Sequence, residues 1–139
     1  GPRWVPGSRG RPPSARGWLR RARPSRSVAQ DWCECGARLL REAEVAHGAG
    51  ALEVAADRAE RGAALGRKLR SADLEAEALQ ALGRIRIDQG SPGEGLALLD
   101  EAMLFVHDGR LSAYSTGKVY CSLISACEQL SDHGRSHDW

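Results

Sequence analysis

Apolar residues recur at intervals of three and four along most of the chain, which is the spacing that one face of an α-helix requires. Short breaks containing Gly, Ser or Asp divide this pattern into five amphipathic segments. The five predicted helices cover residues 30–47, 51–70, 71–89, 91–106 and 112–130. Ala and Leu dominate the apolar residues and aromatic residues make up 5% of the chain, which favours thin layers of packed helices over a β-sandwich. We therefore predict an all-α fold.

Two of the predicted helices begin with recognisable capping residues. Ser71 is expected to be the N-cap of the third helix. Gly90 ends that helix. Ser91 then provides an N-cap, Pro92 lies in the first turn and Glu94 follows three residues after the cap. This arrangement predicts a capping box at the start of the fourth helix.

The fifth segment carries the last complete apolar stripe of the chain. Its predicted inward residues are Val119, Tyr120, Leu123, Ile124, Cys127 and Leu130. Ser131 and Asp132 then predict the start of a sixth helix. A fifth helix without a complete partner leaves an apolar edge, which we expect to be covered by self-association or by a continuation of the chain.

Similar residues return at a fixed distance along the chain. Three residue pairs each precede a predicted turn by about seven residues, namely Leu39-Leu40, Leu82-Gly83 and Leu123-Ile124. Their offsets are 43 and 41 residues. A constant period of this size, built from two helices, is typical of an α-α solenoid in which helix pairs stack on one another.

Residues 76–107 resemble one repeat of the tetratricopeptide family. The residues that match the family pattern, in chain order, are Leu79, Leu82, Gly83, Gly90, Gly95, Leu99 and Ala102. The segment departs from the pattern at Arg86, near the place of the expected Tyr, and at His107, in place of the terminal Pro. The other two copies match less well.

The long period resembles that of the helical repeats between the nucleotide-binding and DNA-binding parts of large bacterial LuxR-type regulators. The stretches LGRIRIDQGSPGEGLALLDEAM and YCSLISACEQL carry this likeness, which covers residues 30–139. It implies a helical domain over 28–139 that binds a protein or peptide partner in bacterial signalling or transcriptional regulation. Neither the ATPase signature nor the terminal helix-turn-helix of those regulators occurs in this sequence.

We therefore expect a non-catalytic scaffold that recognises its partner in a groove lined by the first helix of each pair. The residues predicted to contact the partner are Arg84, Arg86, Tyr114 and Tyr120. No motif arranges a nucleophile with a base, and Gly90–Gly95 lacks the lysine of a phosphate-binding loop. We expect no cofactor.

Positive charge is concentrated at the N-terminus. Residues 1–30 hold eight arginines and no Asp or Glu, so the other 109 residues carry a net charge of −6. Residues 1–27 are also rich in Pro and Gly and are expected to form a flexible arm, with one short helix at 14–23. The alternative function is nucleic-acid binding through this arm, and its candidate residues are Arg16, Arg20, Arg21 and Arg23. The competing interpretation is a solvated tail.

Metal binding and membrane insertion are not expected. His133 and His137 have a spacing that zinc ligands use on a helix, but no Glu between them completes a metalloprotease motif. The spacing of the four cysteines matches neither a zinc knuckle nor a thioredoxin-type motif. No apolar stretch approaches the length of a membrane span, and a cytoplasmic location is the expectation.

Overall fold

The structure, a computed structural model, describes residues 34–138, and describes the side chains of residues 34–131. The chain divides into a unit of Gly1–Cys35, of which only residues 34 and 35 are described, and a unit of Gly36–Trp139. The predicted arm at 1–27 and the short helix at 14–23 lie outside the described residues. Within the described range every regular element is an α-helix, which confirms the predicted all-α class.

Five helices follow one another with short connections. In chain order they are α1 at 34–48, α2 at Leu52–Leu69, α3 at Ala72–Asp88, α4 at Pro92–His107 and α5 at Ala113–Asp138. The ends of α1, α2, α3 and α4 and the start of α5 fall within a residue of the predicted boundaries. The amphipathic spacing and the breaks therefore located these boundaries correctly, whereas α5 ends at Asp138 and not at the predicted residue 130.

Each connection contains a residue with left-handed backbone. Gly50, Gly90 and Gly109 have φ angles of 81°, 89° and 67°, and Arg70 at the end of α2 has a φ of 55°. Glycine adopts this region without the Cβ penalty of other residues, so three of the four helix ends lie where the sequence allows the reversal most easily.

The sixth helix predicted at Ser131 is wrong, because α5 continues without a break to Asp138. No residue near Ser131 and Asp132 adopts the left-handed backbone seen at the other four breaks within the described chain. Ser and Asp favour a helix start only where the preceding helix has already been stopped. Without a glycine turn, they are tolerated inside a continuous helix.

The two predicted caps have different outcomes. The Ser71 hydroxyl accepts a hydrogen bond from the Leu74 amide at 3.3 Å, which confirms it as the N-cap of α3. Ser91 makes no side-chain capping bond, although Pro92 does occupy the first turn. The Glu94 carboxylate lies 3.0 Å from Nε of Arg86 on α3. The reciprocal capping box is therefore wrong, since a charged partner on the neighbouring helix engages this glutamate.

Glycines bring α3 very close to both α2 and α4. A side chain at Gly66 would place its Cβ 2.6 Å from the backbone nitrogen of Glu75. A side chain at Gly83 would place its Cβ 2.8 Å from the carbonyl oxygen of Gly95. The end of each helix thus meets the beginning of the next, so consecutive helices are antiparallel and pack backbone to backbone at these points.

The odd-numbered helices α1, α3 and α5 run in the same direction at a nearly constant register. His47 on α1 contacts Asp88 on α3, and Asp88 contacts Gln129 on α5, each 41 residues apart. Gln80 on α3 contacts Ser122 on α5, 42 residues away. The offsets between the similar segments of the sequence therefore match the offsets between contacting positions on neighbouring helices.

Small side chains build most of the core. The buried apolar residues, grouped in three contiguous clusters, are Ala43, Ala46, Ala55, Ala56, Ala59, Ala63, Ala76, Ala78, Leu79, Leu82, Ile85, Ile87, Leu99, Ala102, Val119 and Ala126. Alanine allows helix backbones to approach closely, which compensates for the scarcity of aromatic residues. The prediction of thin helix-on-helix layers is consistent with this core.

The face of α5 that packs on the rest of the protein agrees with the predicted one only in part: Val119 is buried, and Leu123 and Leu130 pack against the core. Tyr120 and Ile124 were expected to point inward but are 45% and 58% exposed, and Cys127 is also exposed. The buried residues of α5 are Ser115, Val119, Ser122 and Ala126. Two of these are serines because α3 presents polar side chains to α5. The buried face of α5 therefore includes two serines that the apolar spacing did not indicate.

Candidate binding groove

A groove with a volume of about 510 Å³ lies between the three parallel helices. Glu44 and His47 of α1 form one side of it, and Gln80, Ala81 and Arg84 of α3 form the middle. The lining residues on α5 are Ala113, Tyr114, Gly117, Lys118, Cys121 and Ser122. Each set repeats at intervals of three or four residues, so each comes from one face of its helix.

Lys118 joins all three helices through its ammonium group. Nζ lies 3.2 Å from Oε1 of Glu44 on α1 and 3.4 Å from Oε1 of Glu77 on α3. Burial lowers the pKa of Lys118, but the hydrogen bond to Glu44 and the negative charges of Glu44 and Glu77 outweigh it, so the pKa is raised above its ordinary value. The charge of Lys118 is therefore retained and already paired.

A buried polar pair lies beneath the groove. Gln80 and Ser122 are 6% and 4% exposed, and the Ser122 hydroxyl donates a hydrogen bond to Oε1 of Gln80. Nε2 of Gln80 donates to the carbonyl oxygen of Glu77 at 2.9 Å. The Ser115 hydroxyl donates to Oε2 of Glu77 at 3.3 Å. Because a buried polar group without a partner is costly, these bonds hold α5 against α3 in one register.

Asp88 is the centre of a third link between the same helices. Its Oδ2 accepts a hydrogen bond from Nε2 of His47 at 2.5 Å, and its Oδ1 accepts one from Nε2 of Gln129 at 2.8 Å. Burial raises the pKa of Asp88, but these two hydrogen bonds and the charges of His47 and Arg84 outweigh it, so the pKa is lowered. Asp88 is therefore ionised at neutral pH.

Two large side chains on the groove wall are not committed in this way. Tyr114 is 71% exposed, and the Lys118 ammonium lies 5.5 Å from the centre of its ring. The Arg84 side chain is exposed and makes no hydrogen bond or ion pair with another described residue. Its only described interaction is the longer-range attraction to Asp88, one helical turn away. Both side chains are available to a ligand.

Of the residues predicted to contact a partner, the structure brings Arg84 and Tyr114 together on the groove and leaves the other two elsewhere. Arg86 points to the opposite side of α3, where its guanidinium lies 3.0 Å from Glu60 on α2 and 3.0 Å from Glu94 on α4. Two positions along a helix turn a side chain by about 200°, which separates Arg84 from Arg86. Tyr120 does not line the groove.

The predicted nucleic-acid residues Arg16, Arg20, Arg21 and Arg23 all lie outside the described residues. His133 and His137 lie in α5 beyond the last described side chain. Among the described side chains, no group of three or more His, Cys, Asp or Glu is placed to hold a metal ion.

Several groove residues were not anticipated from the sequence, namely Glu44, His47, Gln80, Lys118, Cys121 and Ser122. A usable signal did exist for two of them. Gln80 and Ser122 occupy positions that helical spacing places on buried faces, and they lie 42 residues apart, close to the repeat period. A polar pair at the repeat distance on inward faces indicates a contact between stacked helices.

Comparison with known proteins identifies no relative of this chain. No protein-family model, curated protein or solved structure matches the chain. The likeness to tetratricopeptide repeats and to LuxR-type regulators therefore stays a prediction from the sequence. In the part of the chain that the structure describes, no helix is long and apolar enough to cross a membrane.

Proposed function

We propose that the protein is a non-catalytic scaffold that binds a protein or peptide partner in the groove between α1, α3 and α5. The observation that carries this proposal is that some groove residues link the helices to one another while two others are exposed. Lys118, Asp88 and Gln80 fasten the three helices together, whereas Arg84 and Tyr114 point to solvent without a hydrogen bond or ion pair to described residues. Because the three helices are already fastened together, little backbone entropy is lost on binding, and only the exposed side chains have to be ordered.

The arrangement of the helices supports an α-α solenoid of the tetratricopeptide type. Consecutive helices are antiparallel, and contacts between α1, α3 and α5 repeat at intervals near 41 residues. In such solenoids the first helices of successive pairs line the inner surface, and the corresponding helices here, α1, α3 and α5, line the groove. The setting that we propose, bacterial signalling or transcriptional regulation, depends on the sequence resemblance alone.

Self-association through α5 is a separate proposal. The exposed Tyr120 and Ile124 lie four residues apart on this helix, so they share one face. Neither residue lines the groove.

A pair of glycine substitutions tests the groove. A Cβ at Gly117, in the groove, or at Gly93, at the start of α4, meets no neighbouring atom within 4 Å. Gly117→Trp should therefore project its ring into the groove with no clash at its Cβ, and Gly93→Trp is the matched control. Peptides would be selected from a random displayed library against the full chain, and their affinities for the three proteins measured by fluorescence anisotropy.

We expect at least a tenfold loss of affinity for Gly117→Trp and no change for Gly93→Trp, because only the first tryptophan occupies the binding surface. Equal thermal unfolding midpoints would show that both variants are folded. Selected peptides that bind Gly117→Trp as well as the unmodified protein would place the interaction elsewhere and overturn the proposal. Failure to select any peptide would do the same.

A further inference from the structure

Nearly all the charged groups around the groove have a hydrogen-bond or ion-pair partner within the protein. Both carboxylate oxygens of Glu77 have partners, one in Lys118 and one in Ser115. Both carboxylate oxygens of Asp88 also have partners, in His47 and Gln129. Glu44 and Lys118 pair with each other. Among the described groove residues, Arg84 is then the charged group whose own donors remain unused.

The unused group has a specific chemistry. A guanidinium presents several N–H donors in a planar fork that matches the two oxygens of a carboxylate. Asp88 lies one turn from Arg84, and Glu44 lies on the facing helix. These fixed negative charges disfavour a doubly charged phosphate more strongly than a singly charged carboxylate. Of these two anions, a carboxylate is therefore the one that Arg84 binds at the lower electrostatic cost.

The wall beside Arg84 is mostly apolar. Ala81, Ala113 and Gly117 line the groove together with the exposed Tyr114. A ring with little side-chain entropy to lose is a good contact for an aliphatic or aromatic side chain. The groove thus offers an anion site and an apolar site within one cavity of about 510 Å³, a volume suited to a few side chains.

We propose that the groove selects internal peptide segments in which an Asp or Glu lies near a large apolar residue. The acidic side chain binds the Arg84 guanidinium, and the apolar side chain packs on Tyr114. This inference rests on the proposed function, since it names the partner chemistry of the same groove.

The test uses a displayed library of random peptides whose C-termini are blocked, so that any carboxylate selected is a side chain. The library is selected in parallel against the full chain, Arg84→Gln and Arg70→Gln. Arg70 is the matched control because it is an exposed arginine outside the groove, with no hydrogen bond or ion pair from its side chain to another described residue. Its backbone is left-handed, which strains Gln and Arg alike.

We expect Asp and Glu to be enriched beside apolar residues with the unmodified protein and with Arg70→Gln, and not with Arg84→Gln. For a selected peptide, replacing its Glu by Gln should weaken binding to the unmodified protein about fivefold and leave binding to Arg84→Gln unchanged. Arg84→Glu should favour the same peptide with Lys in place of Glu, which a general loss of folding would not produce.

Alkylation of the exposed Cys121 and Cys127 distinguishes a failure of this inference from a failure of the proposed function. Cys121 lines the groove and Cys127 does not, so a peptide bound in the groove should slow the alkylation of Cys121 alone, read by peptide mass mapping. Peptides that protect Cys121 without acidic enrichment, or with enrichment that survives Arg84→Gln, would overturn this inference and leave the proposed function intact. Peptides that never protect Cys121 would overturn both.

Discussion

The two sides of α3 hold their neighbours by different means. Towards α2 and α4 the contact is made by glycines, where Gly66 and the pair Gly83 and Gly95 let backbones touch. Towards α1 and α5 it is made by polar side chains, among them Gln80 and Asp88. The closest approach to α2 and α4 depends on the absence of side chains at these glycines, with Arg86 adding ion pairs to Glu60 and Glu94, whereas the links to α1 and α5 depend on paired polar side chains. The groove lies on the polar side, where partners can compete for donors and acceptors.

The largest effect on stability should come from adding a methyl group at Gly95, where α4 touches the backbone of α3. In Gly95→Ala the new Cβ would overlap the carbonyl oxygen of Gly83 and lie 2.6 Å from Cγ1 of Ile87. Overpacking outweighs the better helix propensity of alanine, so the free energy of unfolding should fall by about 2 kcal/mol. Urea denaturation would measure it.

The control for that variant is Gly117→Ala. Its Cβ meets no neighbouring atom within 4 Å, so only helix propensity acts, and stability should rise by roughly 0.5–1 kcal/mol. If Gly95→Ala were as stable as Gly117→Ala, the close approach of α3 and α4 would not contribute to the stability of the fold.

A smaller loss is expected from breaking the buried pair on the polar side. Ser122→Ala removes the donor to Oε1 of Gln80 in the core, which should lower the free energy of unfolding by about 1–2 kcal/mol. Ser131→Ala, at an exposed position of the same helix, is the control and should cost almost nothing. Urea denaturation of both variants provides the comparison.

A double-mutant cycle isolates the pair itself. Combining Ser122→Ala with Gln80→Leu removes both polar groups, so the combined loss should be smaller than the sum of the two single losses. Additive losses would mean that the hydrogen bond does not couple α3 to α5.

The smallest effect concerns pH. Because the folded pKa of Asp88 is below its ordinary value of 3.8, its ionised form stabilises the fold above that pH, and the contribution disappears as the pH falls through the folded pKa. The group is partly exposed, so we expect less than about 1 kcal/mol. Between pH 7 and pH 2 the urea midpoint of the unmodified protein should fall more steeply than that of Asp88→Asn.

Asp100→Asn serves as the control for the pH series, since Asp100 is exposed and makes no hydrogen bond or ion pair with another described residue. It should follow the unmodified protein throughout. Parallel curves for the unmodified protein and Asp88→Asn would show that the links to His47 and Gln129 do not depend on the charge of Asp88.

The helix boundaries were predictable because their causes are local. Glycines at 50, 90 and 109 allow the left-handed turn that ends a helix, whatever the tertiary surroundings are. Ser71 caps α3 by accepting a hydrogen bond from the amide of Leu74, three residues along the chain. The error at Ser131 has the same origin. Ser131 and Asp132 were interpreted as a helix start although no glycine turn precedes them, and α5 continues through both residues.

The groove was predictable only in part. The repeat offset correctly indicated which helices run side by side, and Arg84 and Tyr114 do lie on the groove they form. Arg86 was also predicted to contact the partner, yet Glu60 and Glu94 on the other side of α3 attract it. Tyr120 and Ile124 were assigned to the core by hydropathy, whereas the polar face of α3 selects serines.

The sequence by itself therefore determined the all-α class, the ends of most of the helices and the distance along the chain between contacting helices, because each depends on backbone preferences within one segment or on repetition. Only the tertiary structure decided that serines complete the buried face of α5, and that Arg84, unlike Arg86, makes no ion pair with another described residue. Those outcomes depend on partners about 25 to 40 residues away, such as Glu60 for Arg86 and Gln80 for Ser122. A charged or polar side chain takes its role from the groups that it meets across the fold.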